Sequence, residues 1–135
     1  MSDNGFVGLV LVSHSAPLAQ GLADLVGQVA GPDVSIEAIG GGAGDTLGTD
    51  GGRVLEALRR GAQGAGSVVL MDLGSSVLAV KAALGELDEE ERRRLRVADA
   101  PLVEGAIAAG VMASTGDDAD GVLRAAEEAR HARKL

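Results

Sequence analysis

The stretch Phe6-Val7-Gly8-Leu9-Val10-Leu11-Val12 is apolar at almost every position, β-branched in part, and gives way abruptly to Ser13-His14-Ser15. A strand with one wet face alternates apolar and polar residues. A continuous run is what a central strand of a parallel sheet requires, because helices cover it on both sides. Beyond the run, Leu18, Leu22, Leu25, Val26 and Val29 recur at helical spacing. Ser15 and Pro17 supply the cap and first-turn residues that open a helix. Strand one therefore passes into helix one through Ser13-His14-Ser15-Ala16.

The same alternation continues outward. Residues 34–39 read as a second strand, followed by the glycine-rich stretch 40–48 and a helix over about 50–60 with Val54, Leu55 and Leu58 on one face. Ser67-Val68-Val69-Leu70-Met71 reads as a third strand, and a helix follows from Ser75 or Ser76 with Val77, Val80, Leu84 and Leu87 on its buried side. The run Asp88-Glu89-Glu90-Glu91-Arg92-Arg93-Arg94 is a solvated helix end or turn, since charges this dense are not all buried. Leu95-Arg96-Val97-Ala98 is a fourth strand, ended by Pro101. Residues 106–114, rich in small side chains, and 117–134, with acids early and bases late, complete the chain as helices.

Repeated strand–helix units demand right-handed crossovers, and these cover both faces of a parallel sheet. The expectation is one α/β domain over residues 1–135: a flavodoxin-like, doubly wound sheet of four parallel strands, order 2-1-3-4, with helices on both faces. The composition agrees, with 46% hydrophobic residues, a single aromatic, Phe6, and 21 glycines among 135 residues. Such a core is built from aliphatic side chains and close backbone approaches. The absence of cysteine excludes disulfides and thiol chemistry. A net charge of −8, from 20 acidic against 12 basic residues, disfavours nucleic acid. No apolar run is long enough for a membrane span, and Met1-Ser2-Asp3-Asn4 lacks the basic opening of a signal peptide, so a cytoplasmic protein off the membrane is expected.

Ligands of doubly wound sheets bind beyond the carboxyl ends of the strands. Those positions hold Ser13-His14-Ser15, the 40–50 loop, Asp72-Leu73-Gly74-Ser75-Ser76 and Asp99-Ala100-Pro101. With strands one and three adjacent, Asp72 stands beside His14, accepting a bond from one ring nitrogen and leaving the other nucleophilic. Gly74, Ser75 and Ser76 open a helix whose free amides favour an anion, and Thr49 and Ser15 offer further donors. Plainer roles compete: a carbonyl partner for His14, helix capping for Asp72, Ser15, Ser75 and Asp50. His131 lies in the basic tail and needs no function. The glycine-rich loop, read as a flexible cover over the rim, spells neither a P-loop nor a dinucleotide fingerprint. No ligand pair suggests a metal, and neither Ser13 nor Ser15 stands in a nucleophile-elbow motif.

Four ordered motifs, Val12-Ser13-His14-Ser15, Gly48-Thr49-Asp50, Met71-Asp72-Leu73-Gly74-Ser75 and Ala100-Pro101-Leu102-Val103-Glu104-Gly105, resemble the mannose-type IIA domains of the phosphotransferase system. They resemble most closely the phosphotransferase subunits of phosphoenolpyruvate (PEP)-dependent dihydroxyacetone kinase, and the match spans nearly the whole chain. The resemblance implies a homodimer and a histidine, here His14, that takes a phosphoryl group from HPr. It implies transfer onward to ADP bound on DhaL, whose ATP phosphorylates dihydroxyacetone on DhaK. No dissociable cofactor is expected, the phosphoryl group being carried covalently on His14. Some family members continue into HPr-like and enzyme I-like domains, so a separate HPr is the expected donor here. Three alternatives stay open: the IIA component of a mannose-type sugar transporter, a non-catalytic flavodoxin-like ligand-binding module, and a regulatory subunit that senses phosphorylation.

Overall fold

The structure, a computed structural model, describes residues 5–42 and 46–135. Its elements run β1 (Gly8–Ser13), α1 (Ala16–Ala30), β2 (Ile36–Gly40), α2 (Gly51–Gly61), β3 (Ser67–Met71), α3 (Gly74–Glu86), α4 (Glu89–Arg93), β4 (Leu95–Val97), α5 (Leu102–Ser114) and α6 (Ala119–Glu128), closing on a 3₁₀ turn at Ala129–His131. The four strands form one sheet in the order β2-β1-β3-β4, all parallel, as the alternation requires. Every residue of β1 is buried.

Alternate side chains of β1 serve two cores. Leu9 and Leu11, with Val68 and Leu70 of β3, pack under α1, α5 and α6 through Leu22, Val26, Ala106, Ala109, Val122 and Ala126. Val10 and Val12, with Val69, pack under α2 and α3 through Val54, Leu58, Val80 and Ala83. The helix after β1 thus lies on one face and the helix after β3 on the other. The crevice between the carboxyl ends of these two adjacent strands is the switch point of the sheet.

Several boundaries shift from the sequence expectation. The first strand begins at Gly8 and includes Ser13, and the second runs from Ile36 to Gly40. Helix α5 starts at Leu102, immediately after Pro101, four residues earlier than its small-residue run suggests. The last helix ends at Glu128 rather than reaching Lys134. The charged run forms the short helix α4, opened by a capping box in which Asp88 and Glu91 bond each other's backbone amides. Leu18, Leu25 and Val29 of α1 stand about half exposed, because Ala19, Leu22, Val26 and Ala30 form its buried stripe. The small residues of α5 are buried within the chain itself, where a Cβ on Gly110 would approach Val26 Cγ1 to 2.7 Å. Of the glycine-rich loop, residues 43–45 lie outside the described residues, as do residues 1–4.

One glycine sets the height of the rim. The last residue of β2, Gly40, lies against the turn between β1 and α1, where an added Cβ would stand 2.3 Å from the Ser15 carbonyl oxygen and 2.7 Å from Ala16 Cα. Neither backbone atom can move without displacing the turn that carries His14. Gly40→Ala is therefore expected to cost about 1–3 kcal/mol, the usual range for overpacking. Urea unfolding against wild type measures it, and an unchanged midpoint would show that the turn has room.

Candidate active site

The site begins with the polar residue that ends β1. Ser13 is 1% exposed. Its hydroxyl donates to Asp72 Oδ2 at 2.8 Å and accepts from the Ser15 amide at 3.1 Å. The parallel ladder, continued by the Asp72 amide donating to the Val12 carbonyl at 3.1 Å, brings the ends of β1 and β3 to one level. His14 and Asp72 therefore meet although 58 residues separate them in sequence.

Asp72 is surrounded by donors. Oδ2 accepts from the Ser13 hydroxyl and from the His14 amide at 3.0 Å. Oδ1 accepts from His14 Nδ1 at 2.9 Å, the Ser76 hydroxyl at 2.8 Å and the Leu73 amide at 2.6 Å. Burial by itself pushes this carboxyl up, but the bonds from the His14 amide, the His14 ring, Ser13 and Ser76 outweigh it and hold Asp72 well below the usual carboxylate range. An ionised carboxylate accepts only, so Nδ1 donates to it, and in the neutral ring Nε2 then keeps its lone pair.

The second layer follows from the same donor logic. The Ser76 proton is committed to Asp72, so Thr49, whose Oγ1 lies 3.4 Å from Ser76 Oγ, is the donor in that contact. Ser76 is fully buried and its oxygen also lies 3.2 Å from His14 Nδ1. Ser75 is exposed at the mouth, and its hydroxyl meets Nε2. At α3 the N-cap is Leu73, without a side-chain cap bond, and the amides of Gly74 and Ser75 stand in the first turn without intrahelical acceptors. Ser15 is occupied as the N-cap of α1, accepting from Leu18, and Asp50 caps α2 through the amides of Gly52 and Arg53. The Gly48 amide bonds the His14 carbonyl at 3.0 Å and ties the loop to the rim.

The structure thus brings together His14, Asp72, Thr49, Ser75 and Ser76, with Gly74 opening the helix beside them. Ser15 is adjacent but engaged in capping. Sequence reasoning placed Ser13 at the strand end but gave its hydroxyl no role in the site. The available signal was its place as the first polar residue after a buried run, where an unpaired hydroxyl would be costly. An open cleft of about 390 Å³ flanks Asp72, lined by Met71, Val77, Lys81, Val97 and Asp99 among others. Among the described residues no group of three His, Cys, Asp or Glu side chains is placed to hold a metal ion, and no helix is long and apolar enough to cross a membrane.

Fold and site together define a carboxylate–histidine protein of the doubly wound α/β class, with its imidazole at the switch point. Residues 8–123 match the family model described as the fructose IIA component of the PTS system. The chain belongs to this mannose-type IIA family. It is 39% identical over 131 residues to the PEP-dependent dihydroxyacetone kinase phosphoryl donor subunit DhaM of Escherichia coli (strain K12), an alignment covering 95% of this chain and 28% of that protein. The chain thus spans little more than a quarter of the length of that relative. The PEP-dependent dihydroxyacetone kinase 2 phosphoryl donor subunit DhaM of Listeria innocua serovar 6a is 30% identical over 118 residues, covering 87% of this chain and 94% of that protein. Among solved structures, protein EF1359, described as of unknown function, superposes with a TM-score of 0.81 at 30% identity, covering 90% of this chain and 92% of that one.

The depressed acidity of Asp72 has a signed consequence for stability. A carboxyl held below its ordinary value of 3.8 contributes stability that is present above that value and lost as the pH falls through it toward the folded value. Wild type is expected to lose stability on acidification from about pH 5 to pH 2, and Asp72→Asn to lose less over that window. Ser13→Ala, which removes one donor, is expected to move the Asp72 carboxyl upward in a ¹³C NMR titration. A carboxyl unmoved by Ser13→Ala would remove Ser13 from the network.

Proposed function

We propose that the chain is the phosphohistidine carrier of a PEP-dependent dihydroxyacetone kinase system. It accepts a phosphoryl group from HPr on His14 and delivers it to ADP bound on DhaL, in support of dihydroxyacetone phosphorylation on DhaK. The observation that carries this reading is the bond from His14 Nδ1 to Asp72, which leaves Nε2 unprotonated at the rim beside the first turn of α3. Membership of the IIA family and the relatives' description as phosphoryl donor subunits of dihydroxyacetone kinase support the carrier reading, and the geometry supports a phosphate-handling imidazole.

In the forward step the Nε2 lone pair attacks the phosphorus of the donor phosphohistidine in line. The new N–P bond forms as the donor's N–P bond breaks, and the electron pair of that bond returns to the donor imidazole. The ring of His14 becomes more positive, and Asp72, already ionised, stabilises it without taking the Nδ1 proton. The amides of Gly74 and Ser75 and the positive end of the α3 dipole face the phosphoryl oxygens. The Ser75 hydroxyl, which occupies Nε2 in the resting protein, turns away and donates to a phosphoryl oxygen. Thr49 holds Ser76, and Ser76 holds Asp72. Delivery to the β-phosphate of ADP is the same displacement with His14 as leaving group. No dissociable cofactor or metal enters the carrier's half of the chemistry. A homodimer working in the cytoplasm belongs to the same reading.

The sugar-transporter IIA alternative shares every step on this chain and differs only in the acceptor. Incubation with PEP, enzyme I and HPr is expected to give one acid-labile, base-stable phosphate, absent from His14→Ala and discharged on adding DhaL with ADP. Labelling of His14→Ala to the wild-type level would refute the assignment. Discharge by a mannose-type IIB domain but not by DhaL would select the transporter role. Asp72→Asn, whose amide favours the other ring tautomer, is expected to slow transfer by about 10²-fold or more with the fold intact.

A further inference from the structure

Arg53 stands where its own helix gains nothing from it. It is the third residue of α2, inside the first turn that Asp50 caps through the amides of Gly52 and Arg53. A cation there faces the positive end of the helix dipole, whereas Arg59 and Arg60 in the last turn suit the negative end. The residue is exposed, and among the described residues no carboxylate stands within ion-pair distance of it, although Arg60, Arg96 and Arg130 are each paired with one. Instead its Nη1 donates to the Gly40 carbonyl at 3.4 Å, a long and weak bond. That carbonyl belongs to the rim, since Gly40 pairs in register with Ser13 and lies against the Ser15 carbonyl. The loop that leads into α2 is itself tied to the site, by the Gly48 amide at the His14 carbonyl and by Thr49 at Ser76. The guanidinium is therefore held loosely beside the turn that carries His14.

We infer that Arg53 swings from the Gly40 carbonyl onto the phosphoryl group carried at Nε2 and is the cation that stabilises it during transfer. The inference rests on the carrier role proposed above and deepens it. Phosphorylation adds about two negative charges to a ring whose other nitrogen already faces the Asp72 carboxylate, in a chain of net charge −8. The amides at the start of α3 and the Ser75 hydroxyl are neutral donors, so they leave that charge uncompensated. In the loose transition state the negative charge spreads over three phosphoryl oxygens, and a planar guanidinium bonds two of them at once. Moving Arg53 there gives up one long hydrogen bond and leaves the Asp50 cap in place. The guanidinium makes and breaks no covalent bond and keeps its proton throughout. It acts alike in acceptance and delivery, because both pass through the same kind of transition state. Lys81 is a second cation near the site, but it shares its cleft with the carboxylates of Asp72 and Asp99.

The test reads the phosphoryl group itself. Wild type, Arg53→Gln, Arg53→Lys and Lys81→Gln are phosphorylated with PEP, enzyme I and HPr, and the phosphoryl group is titrated by ³¹P NMR. A guanidinium in contact favours the doubly charged form, so Arg53→Gln is expected to raise the pH of half-titration by at least about 0.5, with Arg53→Lys in between and Lys81→Gln near wild type. The maximal rate of phosphorylation is expected to fall at least about tenfold in Arg53→Gln with phosphorylated HPr and with phosphoramidate, a small donor, alike. Thermal unfolding of Arg53→Gln is expected no lower than that of wild type, because the change removes a cation from the start of α2. A titration unmoved by Arg53→Gln overturns the inference and leaves the carrier role standing. So does a loss confined to KM for phosphorylated HPr, which would make Arg53 a docking residue, or an equal shift in Lys81→Gln, which would make the effect one of overall charge. Wild type that takes no phosphate from phosphorylated HPr overturns the carrier role itself, and the inference with it.

Discussion

The carboxylate of Asp72 is the constraint around which the upper rim of this molecule is arranged. The lone pairs of this partly buried carboxylate are filled by two serine hydroxyls, two backbone amides and one imidazole. Those donors come from the ends of two neighbouring strands and from the first turn of α3. Satisfying one anion therefore ties together the strand ends that the β1–β3 ladder brings to one level, the tautomer of His14 and the start of α3. Remove the charge and these three features lose their common reason.

The fold makes that convergence possible by sending the crossovers after β1 and β3 to opposite faces. In the crevice between them side chains from both strand ends meet without a helix above. Glycine at position 40 lets the His14 turn settle against the end of β2, where a methyl group would strike the Ser15 carbonyl. The acidic partner stays ionised because it is well bonded. A carrier has to give up its phosphoryl group as readily as it takes it. An orienting carboxylate that holds the Nδ1 proton without accepting it serves both directions equally.

Much of this was legible in the sequence, for reasons that particular residues make plain. The unbroken apolar run ahead of Ser13 forces a doubly covered strand, and the alternation after it forces parallel neighbours. The strand-end rule then places His14, Thr49, Asp72, Ser75 and Ser76 on one rim without any contact being known. Less legible were features decided by hydrogen bonds rather than by periodicity. Ser13 reads as the point where a strand stops, yet its hydroxyl is bonded on both sides. Asp72 has the position of a helix cap but spends its oxygens on the site, leaving Leu73 at the cap of α3. The start of α5 was hidden because Leu102 and Val103 look like neither the strand before them nor the small-residue run after.

The claim on which the rest depends is that Asp72 fixes His14 with its proton on Nδ1 and its lone pair on Nε2. Long-range ¹H–¹⁵N correlation spectra of the imidazole, recorded on the unphosphorylated protein at a pH where the ring is neutral, measure this directly. A protonated Nδ1 and an unprotonated Nε2 are predicted, with phosphorylation then shifting the Nε2 signal. A neutral ring protonated at Nε2, or a phosphoryl group found on Nδ1, would contradict it.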